Sequence, residues 1–316
     1  MATKNNPSVS RMSRWARTIA IGTGVLSGFL AVQDAQALGF DLGDAANYAV
    51  LFEGLGANNK LNINNGPGLN GLAVNGNIGI GNAGVLQLSG PLVLNSNVDF
   101  ANAVIDNGPY SGNIVVNGTI SGGHANVTAD LLNLNALSVA LGAEVGTVVS
   151  IVGSQIINVA AGATDASGNK VFTATTNSFN NGEVVTINGD GTHKVVFNFS
   201  SNASFGGIFM LTGGLTSDDV LFNVLGTNSL QINTNGATTT GTFLDPFGSV
   251  SIVHSILDGR IFGGDSHDMQ IVSGALVNAP AGSAPAGSVP DSGNSLVLLA
   301  LGLVGIAGVS RKWLHA

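Results

Sequence analysis

Short apolar runs, each ended by Asn or Gly, are the dominant pattern from residue 61 to residue 120. They follow one another at intervals of roughly 6 to 12 residues, and runs this short between turn-forming residues predict β-strands. We expect strands at Leu61–Ile63, Leu72–Val74, Ile78–Ile80, Val85–Leu88, Leu92–Leu94 and Ile114–Val116.

Residues 128–145 carry a different pattern, which predicts one amphipathic helix. Apolar or small residues recur there at steps of three and four, as on one face of a helix: Leu131, Leu134, Leu137, Ser138 and Leu141. Thr128 is the expected N-cap, and Asp130 in the first turn would interact favourably with the helix dipole.

After the helix the strand pattern resumes. The runs are Val148–Val152, Val171–Ala174, Val184–Ile187, Val195–Phe199, Ile208–Leu211, Val220–Val224, Leu230–Ile232, Val250–Val253 and Ile271–Val272. Many very short strands with Asn-Gly turns favour a mainly β fold, a β-solenoid (right-handed β-helix) with one packed α-helix. A meander stays open, because Asn-Gly also marks hairpins and no strict period is visible.

The first 37 residues have the layout of a secretory signal peptide. A basic region precedes the apolar stretch Thr18–Val32, and Ala35-Gln36-Ala37 forms an A-x-A cleavage site. The basic residues are Lys4, Arg11, Arg14 and Arg17. We therefore expect an exported protein whose mature form starts near Leu38.

The other end of the chain has three parts. Val289, Pro290, Asp291, Ser292 and Gly293 precede the apolar run Leu296–Val309, and Arg311 and Lys312 follow it. A run of about 14 residues is roughly 21 Å long as a helix, against a bilayer core of about 30 Å. Residues 295–310 are thus expected to form a short transmembrane helix that anchors the protein transiently, with the two cations as the stop signal.

This tail resembles the Val-Pro-Asp-Ser-Gly class of PEP-CTERM sorting signals. The resemblance implies that an exosortase, a membrane-embedded protease or transpeptidase, processes the tail at residues 289–293. The alternatives are an ordinary C-terminal anchor and a terminal core helix. The Pro/Ala/Gly/Ser linker at 278–288 argues against the core helix, because it separates the tail from the domain at 38–277.

Composition narrows the classes of partner. The chain has 18 acidic and 10 Lys and Arg residues and no cysteine. Only Lys60, Lys170, Lys194 and Arg260 lie within residues 38–290, so the exported part is strongly acidic. Nucleic acid would repel such a module. Stability must come from packing and hydrogen bonds without disulfides.

The domain itself resembles two exported families at its start. Residues 42–51 read LGDAANYAVL and residues 72–81 read LAVNGNIGIG, as in the choice-of-anchor A family and in bacterial ice-binding β-solenoids. The helix, the strands at 195–198 and 220–226 and the passage 241–261 resemble choice-of-anchor A more, although Asp245 and Phe247 depart from its pattern. The resemblance implies a β-rich solenoid with one helix and no known catalytic residues.

Few residues are candidates for site chemistry. Asn188-Gly189-Asp190-Gly191-Thr192 places oxygen ligands at alternate positions as Ca²⁺ prefers, but it lacks a bidentate Glu, so a plain turn is favoured. Residues 263–268 cluster acid, hydroxyl and imidazole without a partnered nucleophile. Thr238, Thr239 and Thr240 could join an ice-facing row. No cofactor and no metal are expected.

We therefore expect a non-enzymatic structural or adhesive protein of the cell envelope, outer surface or extracellular matrix. Exosortase is the expected processing partner, and an exopolysaccharide or a matrix protein is the expected ligand. The alternative is an ice- or polysaccharide-binding solenoid module. A third hypothesis, an extracellular polysaccharide hydrolase, is disfavoured because no carboxylate pair stands out.

Overall fold

The computed structural model describes residues 39–56, 59–65, 71–110, 113–265 and 267–280. In this part of the chain short parallel strands stack into a solenoid against one α-helix. The predicted mainly β solenoid with a single packed helix is thus confirmed. The predicted transmembrane helix at 295–310 lies outside the described residues. Within them, no helix has the length and apolar character needed to cross a membrane.

The solenoid has three faces. The helix-covered face contains, in order of pairing, β10 (Thr147–Val152), β13 (Lys170–Ser178), β15 (Val195–Phe199), β18 (Val220–Val224), β20 (Thr238–Asp245), β22 (Ile256–Gly263), β1 (Tyr48–Phe52), β4 (Asn77–Ile80), β7 (Val98–Phe100) and β9 (Ile120–Gly122). The six-stranded face contains β16 (Ala203–Phe205), β19 (Leu230–Ile232), β21 (Val250–Val253), β23 (Met269–Val272), β2 (Lys60–Asn64) and β5 (Val85–Ser89).

The third face is formed by two groups of strands and by the first halves of β20 and β22. The groups are β11 (Gln155–Asn158), β14 (Val184–Asn188) and β17 (Ile208–Thr212), and β24 (Leu276–Asn278), β3 (Gly71–Asn75), β6 (Leu92–Asn95) and β8 (Ile114–Val116). The short β12 (Ala163–Thr164) pairs antiparallel with β13. Asn278, which the sequence assigns to the linker, ends β24.

The long strands β20 and β22 turn the corner between two faces, and neither was predicted from the sequence. Gly241 pairs with Gly259 at the corner, and a Cβ on Gly259 would lie 1.9 Å from the Gly241 carbonyl oxygen. Glycine is needed there because two backbones approach closely. These glycines also interrupt the apolar pattern, which is why pattern reading misses both strands.

The strands do not stack in the order of the sequence. β1 lies in the middle of the helix-covered face, and the chain builds outward from it through β4, β7 and β9 to one end. The helix α1 (Ala125–Gly142) follows, and the chain then builds back from β10 at the other end to β22. Parallel pairing of Val50 with Ile261 joins the first coil to a late one.

Phenylalanines fill the middle of the core. Phe172, Phe197, Phe222 and Phe243 occupy the same register position on β13, β15, β18 and β20. Successive rings stack with centroids 5.1, 5.5 and 4.6 Å apart. Such offset stacking adds to the stability that burial of the rings provides, and it fixes the register of the four strands.

Helix α1 lies on the outer side of the first face. Leu131, Leu134 and Leu141 pack against a second apolar cluster that includes Leu221 and Phe262. This confirms the predicted apolar face. The predicted start is wrong, because the helix begins at Ala125 with His124 in the N-cap position, whereas Thr128 lies inside the helix. The hydroxyl of Thr128 contacts the Asn82 side-chain oxygen instead.

Buried amides attach the end of α1 to the sheet. Asn198 donates from Nδ2 to the Leu141 carbonyl (2.7 Å), and Asn223 donates from Nδ2 to Asn198 Oδ1 (2.9 Å) and to the Ser138 carbonyl (3.0 Å). Ser138 donates its hydroxyl to Asn223 Oδ1 (2.6 Å). Satisfied networks of this kind specify one arrangement, since each unpaired member would be costly in the interior.

Three acidic side chains are buried near the coil junction and under the helix. Burial raises the pKa of Asp245 to about 8 and the pKa of Glu53 to about 7. Burial and the nearby Asp44 raise the pKa of Asp130 to about 6. Asp245 is fully buried at the end of β20, where its Oδ1 accepts a hydrogen bond from the Gly248 amide (3.0 Å). These groups favour the protonated form in the folded state.

We predict that the domain loses stability as the pH rises. A carboxyl whose folded pKa is raised stabilises the fold fully below its unfolded pKa of about 4, and this contribution falls as the pH approaches the folded value near 8. The melting temperature should therefore fall between pH 5 and pH 9. Asp245→Asn should remove on the order of 5 °C of that fall, measured by circular dichroism.

The exposed Asp258→Asn is the matched control, because it removes the same charge from the surface. An equal change in both variants would contradict the assignment of this pH dependence to buried Asp245.

Candidate functional site

The six-stranded face presents a regular surface to solvent. Its inward side chains form two aligned apolar rows, Ala203, Leu230, Val250, Met269, Leu61 and Leu86, and Phe205, Ile232, Ile252, Ile271, Ile63 and Leu88. Because side chains alternate between the two sides of a strand, the residue between each pair points outward. Both apolar rows are buried, so the register of this outward position is fixed along all six strands.

The outward position is occupied by uncharged polar side chains on every strand. We call this set the amide row: Ser204, Gln231, Ser251, Gln270, Asn62 and Gln87. At about 4.8 Å between strands it extends over roughly 24 Å. Ser204, Gln231 and Gln270 are exposed, and the other three are partly exposed.

The hydrogen-bonding groups of the amide row are largely available to a ligand. Ser204 donates to Gln231 Oε1 at 3.4 Å, which is a long bond. The side-chain oxygen of Asn62 is itself buried, so a ligand would contact the exposed Ser204, Gln231 and Gln270 first. Amides and hydroxyls both donate and accept, so the row matches a ligand with closely spaced hydroxyl groups or water.

Charge is confined to the edge of this surface. The backbone amide of Lys60 donates to the Asp268 carboxylate at 2.8 Å, beside the strand ends. No residue of the amide row itself is charged, although the chain has a net charge of −8. The row cannot perform acid–base chemistry, and it carries no preference for an ionic ligand.

The third face is more apolar. Thr186 pairs with Met210 in register, and Ile156 precedes them on β11. Met210 is 44% exposed and Ile156 67% exposed. Of the three threonines predicted to join an ice-facing row, Thr238 is exposed and Thr240 is partly exposed. Thr239 is buried and accepts a hydrogen bond from the Phe209 amide (2.9 Å).

A polar cleft of about 460 Å³ borders the third face. Its lining includes Asp218, Thr240, Asp258 and Asn278. Both carboxylates already have partners, since Asp218 is bound by the Arg260 guanidinium and Asp258 accepts from Asn278 Nδ2 at 2.9 Å. The cleft therefore offers fewer available groups than the amide row.

The turn at Asp190 is structural. Its carboxylate accepts the backbone amides of Thr192 and His193 at 3.0 and 2.9 Å and contacts His193 Nδ1 at 2.7 Å. Slight burial opposes these bonds, yet they lower the pKa of Asp190. The plain turn is thus favoured over a Ca²⁺ site. In the part of the chain that the structure describes, no three His, Asp or Glu side chains are grouped to hold a metal.

The described residues of the cluster at 263–268 make contacts that stabilise the fold. Gly263 pairs with Phe52 and Asp245 in the sheet, and Asp268 accepts the Lys60 amide. Burial raises the pKa of Asp265. Ser266, the one hydroxyl residue of this cluster, lies outside the described residues.

The predicted sorting residues lie outside the described residues. These are Val289, Pro290, Asp291, Ser292 and Gly293, the stop residues Arg311 and Lys312, and the cleavage-site residues Ala35 and Ala37.

The amide row was missed in the sequence, although a signal was present. Each of its strands contains an apolar–polar–apolar triplet, such as Leu61-Asn62-Ile63, Leu86-Gln87-Leu88 and Leu230-Gln231-Ile232. The same kind of triplet also occurs on the helix-covered face, for example Phe197-Asn198-Phe199 in β15, so it does not by itself identify the strands of this face. The alignment of these triplets into one row could be recognised only once the stacking order of the strands was known.

Two family models match the chain. The model of an ice-binding-like adhesive domain matches residues 26–271, and that of the VPDSG-CTERM motif matches residues 288–313. The second supports the predicted exosortase sorting signal. Of the two families that the sequence resembles, the first model corresponds to the ice-binding proteins, and it does not identify the choice-of-anchor A family. No curated protein matches the sequence.

Solved structures of ice-binding proteins are similar to this chain. One from an Antarctic Flavobacteriaceae bacterium is 18% identical with a TM-score of 0.51, over 79% of this chain and 49% of that one. A glycosylated one from an Arctic yeast is 16% identical with a TM-score of 0.47, over 81% and 99%. Another is from the Antarctic ascomycete Antarctomyces psychrotrophicus, 16% identical with a TM-score of 0.45, over 76% and 98%. The similarity to the bacterial structure shows that the two proteins share a fold.

Proposed function

We propose an adhesive role for this protein, on the premise that the chain belongs to the family of ice-binding-like adhesive domains. The adhesive domain and the C-terminal sorting motif make it an exported protein of the cell surface. In our proposal, the amide row is the adhesive surface, and its ligand is a repeating, hydroxyl-rich polymer such as a matrix polysaccharide.

The observation that carries the proposal is the neutrality and regularity of the amide row. Six strands in one register each place a serine hydroxyl or a side-chain amide at the outward position of this row. A polymer with repeating hydroxyls could form several hydrogen bonds along roughly 24 Å of this row, each weak but acting together. The rigid sheet holds the side chains in place before binding, which reduces the entropy lost on association.

We predict that removing the amides weakens binding to polysaccharide. The triple variant Gln87→Ala, Gln231→Ala, Gln270→Ala deletes three donor–acceptor groups while leaving the buried rows intact. Retention on cellulose, chitin or dextran, measured by a depletion isotherm, should fall at least tenfold for whichever polymer binds.

Gln155→Ala, in which a partly exposed amide is removed from the third face, is the control and should bind as the unaltered protein does. Equal retention of the triple variant would refute the amide row as the adhesive surface.

Ice is the second candidate ligand, and the third face favours it. Thr186, Thr238 and Thr240 lie there beside exposed or half-exposed Ile208 and Met210. Hydroxyls can hydrogen-bond to lattice water, while the neighbouring methyl groups lower the cost of removing bulk water from the surface. The two candidate ligands therefore use different faces of the same solenoid.

We predict that any thermal hysteresis depends on the third face. Thr186→Tyr, with a bulky group on a flat surface, should abolish the freezing-point gap measured by nanolitre osmometry. The triple amide variant should leave the gap unchanged. No gap in the unaltered protein removes the ice hypothesis, and it leaves the polysaccharide hypothesis untouched.

The arrangement of the whole chain also forms part of the proposal. We assign residues 1–37 to a signal peptide, 38–277 to the adhesive domain, 278–288 to a linker and 289–316 to the sorting tail. Residues 295–310 would hold the precursor in the membrane until an exosortase acts. The family match supports a binding role in place of catalysis, and kinship with choice-of-anchor A proteins remains a prediction.

We predict that replacing Pro290-Asp291-Ser292 by alanines leaves an uncleaved precursor in the membrane fraction. The exosortase would lose the motif that it recognises, while export would continue. Intact mass of the protein from membrane and medium fractions measures the outcome. Alanine replacement of Ser283 and Pro285 in the linker is the control, and normal release of the motif variant would contradict the proposal.

A further inference from the structure

The outer side of helix α1 carries no charge. The exposed residues along it form what we call the outer seam: Ala125, Ala129, Leu132, Ala136, Val139 and, just after the helix, Ala143. Leu132 is 61% exposed and Val139 is 60% exposed. The only acidic residue of the helix, Asp130, is buried on the other side.

The helix is therefore apolar on two sides. Its inner side is buried in the solenoid through Leu131, Leu134 and Leu141. A surface helix normally has a charged or polar outer side, and a helix that is apolar all round is normally buried. Packing against the solenoid accounts for the apolar inner side of the helix, but it does not account for the apolar character of the exposed outer seam.

The seam has the spacing of a coiled coil. Its residues follow one another at steps of four, three, four, three and four, which is a heptad repeat. One of the two core positions is always alanine, at 129, 136 and 143, and the other holds Ala125, Leu132 and Val139. The flanking positions include the uncharged Asn126 and Asn133, and the nearest exposed charge on this side, Glu144, follows the last residue of the seam.

We propose that the outer seam pairs with the same seam of a second copy of this chain, with the two helices antiparallel. In an antiparallel pair the two core positions face each other, so each Leu132 or Val139 would lie over an alanine of the partner. Large side chains over small ones allow close packing. The same surface on both copies is the requirement of a two-fold interface.

A second copy fits better than an unrelated partner. α1 is the one α-helix in the residues that the structure describes, so a matching heptad is available from an identical chain. Copies with a net charge of −8 repel each other, and an uncharged seam is where two of them can approach. A helix of 18 residues is about 27 Å long, which suits a modest affinity that crowding on a cell surface would raise.

Sedimentation equilibrium of the full chain in non-ionic detergent tests the proposal. We expect a monomer–dimer equilibrium, and Ala136→Glu should raise the dissociation constant at least 100-fold because it buries two like charges beside the two-fold axis. Glutamate is a good helix former, so the fold should persist, as circular dichroism would verify. Ser201→Glu adds the same charge on an exposed turn and should leave the equilibrium unchanged.

Disulfide trapping gives a second readout, because the chain has no cysteine of its own. A mixture of Leu132→Cys and Ala136→Cys chains should form a crosslinked dimer, whereas Ala125→Cys alone should not, since antiparallel pairing places the two copies of residue 125 at opposite ends. A monomer at all concentrations, a dimer indifferent to Ala136→Glu, or efficient crosslinking through residue 125 would each overturn the proposal. The amide-row variants should leave this equilibrium unchanged, so a failure of the adhesion proposal can be distinguished from a failure of the pairing proposal.

Discussion

The pairing of β22 with β1 is the contact on which the stack depends. Two sets of coils grow away from it in opposite directions, one from the start of the domain and one from its end. Hydrogen bonds between parallel strands join the sets, and the Arg260 guanidinium beside them donates to the Ala46 carbonyl at 2.7 Å. Without this junction each set would be a short stack with an open edge, which is the arrangement most exposed to aggregation.

Strands were predicted correctly from the sequence where their apolar runs were uninterrupted. Val195–Phe199 and Val220–Val224 coincide with β15 and β18 because every position in them is buried. β20 and β22 were missed, since Gly241 and Gly259 at the corner and buried polar residues such as Thr242 break the pattern. The start of α1 was placed four residues late, because Thr128 resembles an N-cap, whereas the N-cap position is held by His124 and the helix begins at Ala125.

The amide row illustrates what sequence cannot supply. The triplet around Gln87 and that around Gln270 are visible locally, yet they lie two strands apart only because β23 and β2 are neighbours. β23 and β2 are adjacent because the coils do not stack in the order of the sequence. The sequence has no strict repeat from which this stacking order could be predicted. Chemistry of the individual side chains was thus predictable, and their alignment into a surface was a property of the tertiary fold.

The position of β24 has a consequence for how this domain would bear mechanical load. β24 is the last described strand, and it lies inside the stack with β22 on one side and β3 on the other. A pull transmitted through the following residues would act on a strand held along both edges, so rupture would require shearing of two ladders at once. Coils at the ends of the stack could be peeled off one hydrogen bond at a time. An attachment point in the middle therefore suits a module that must resist tension.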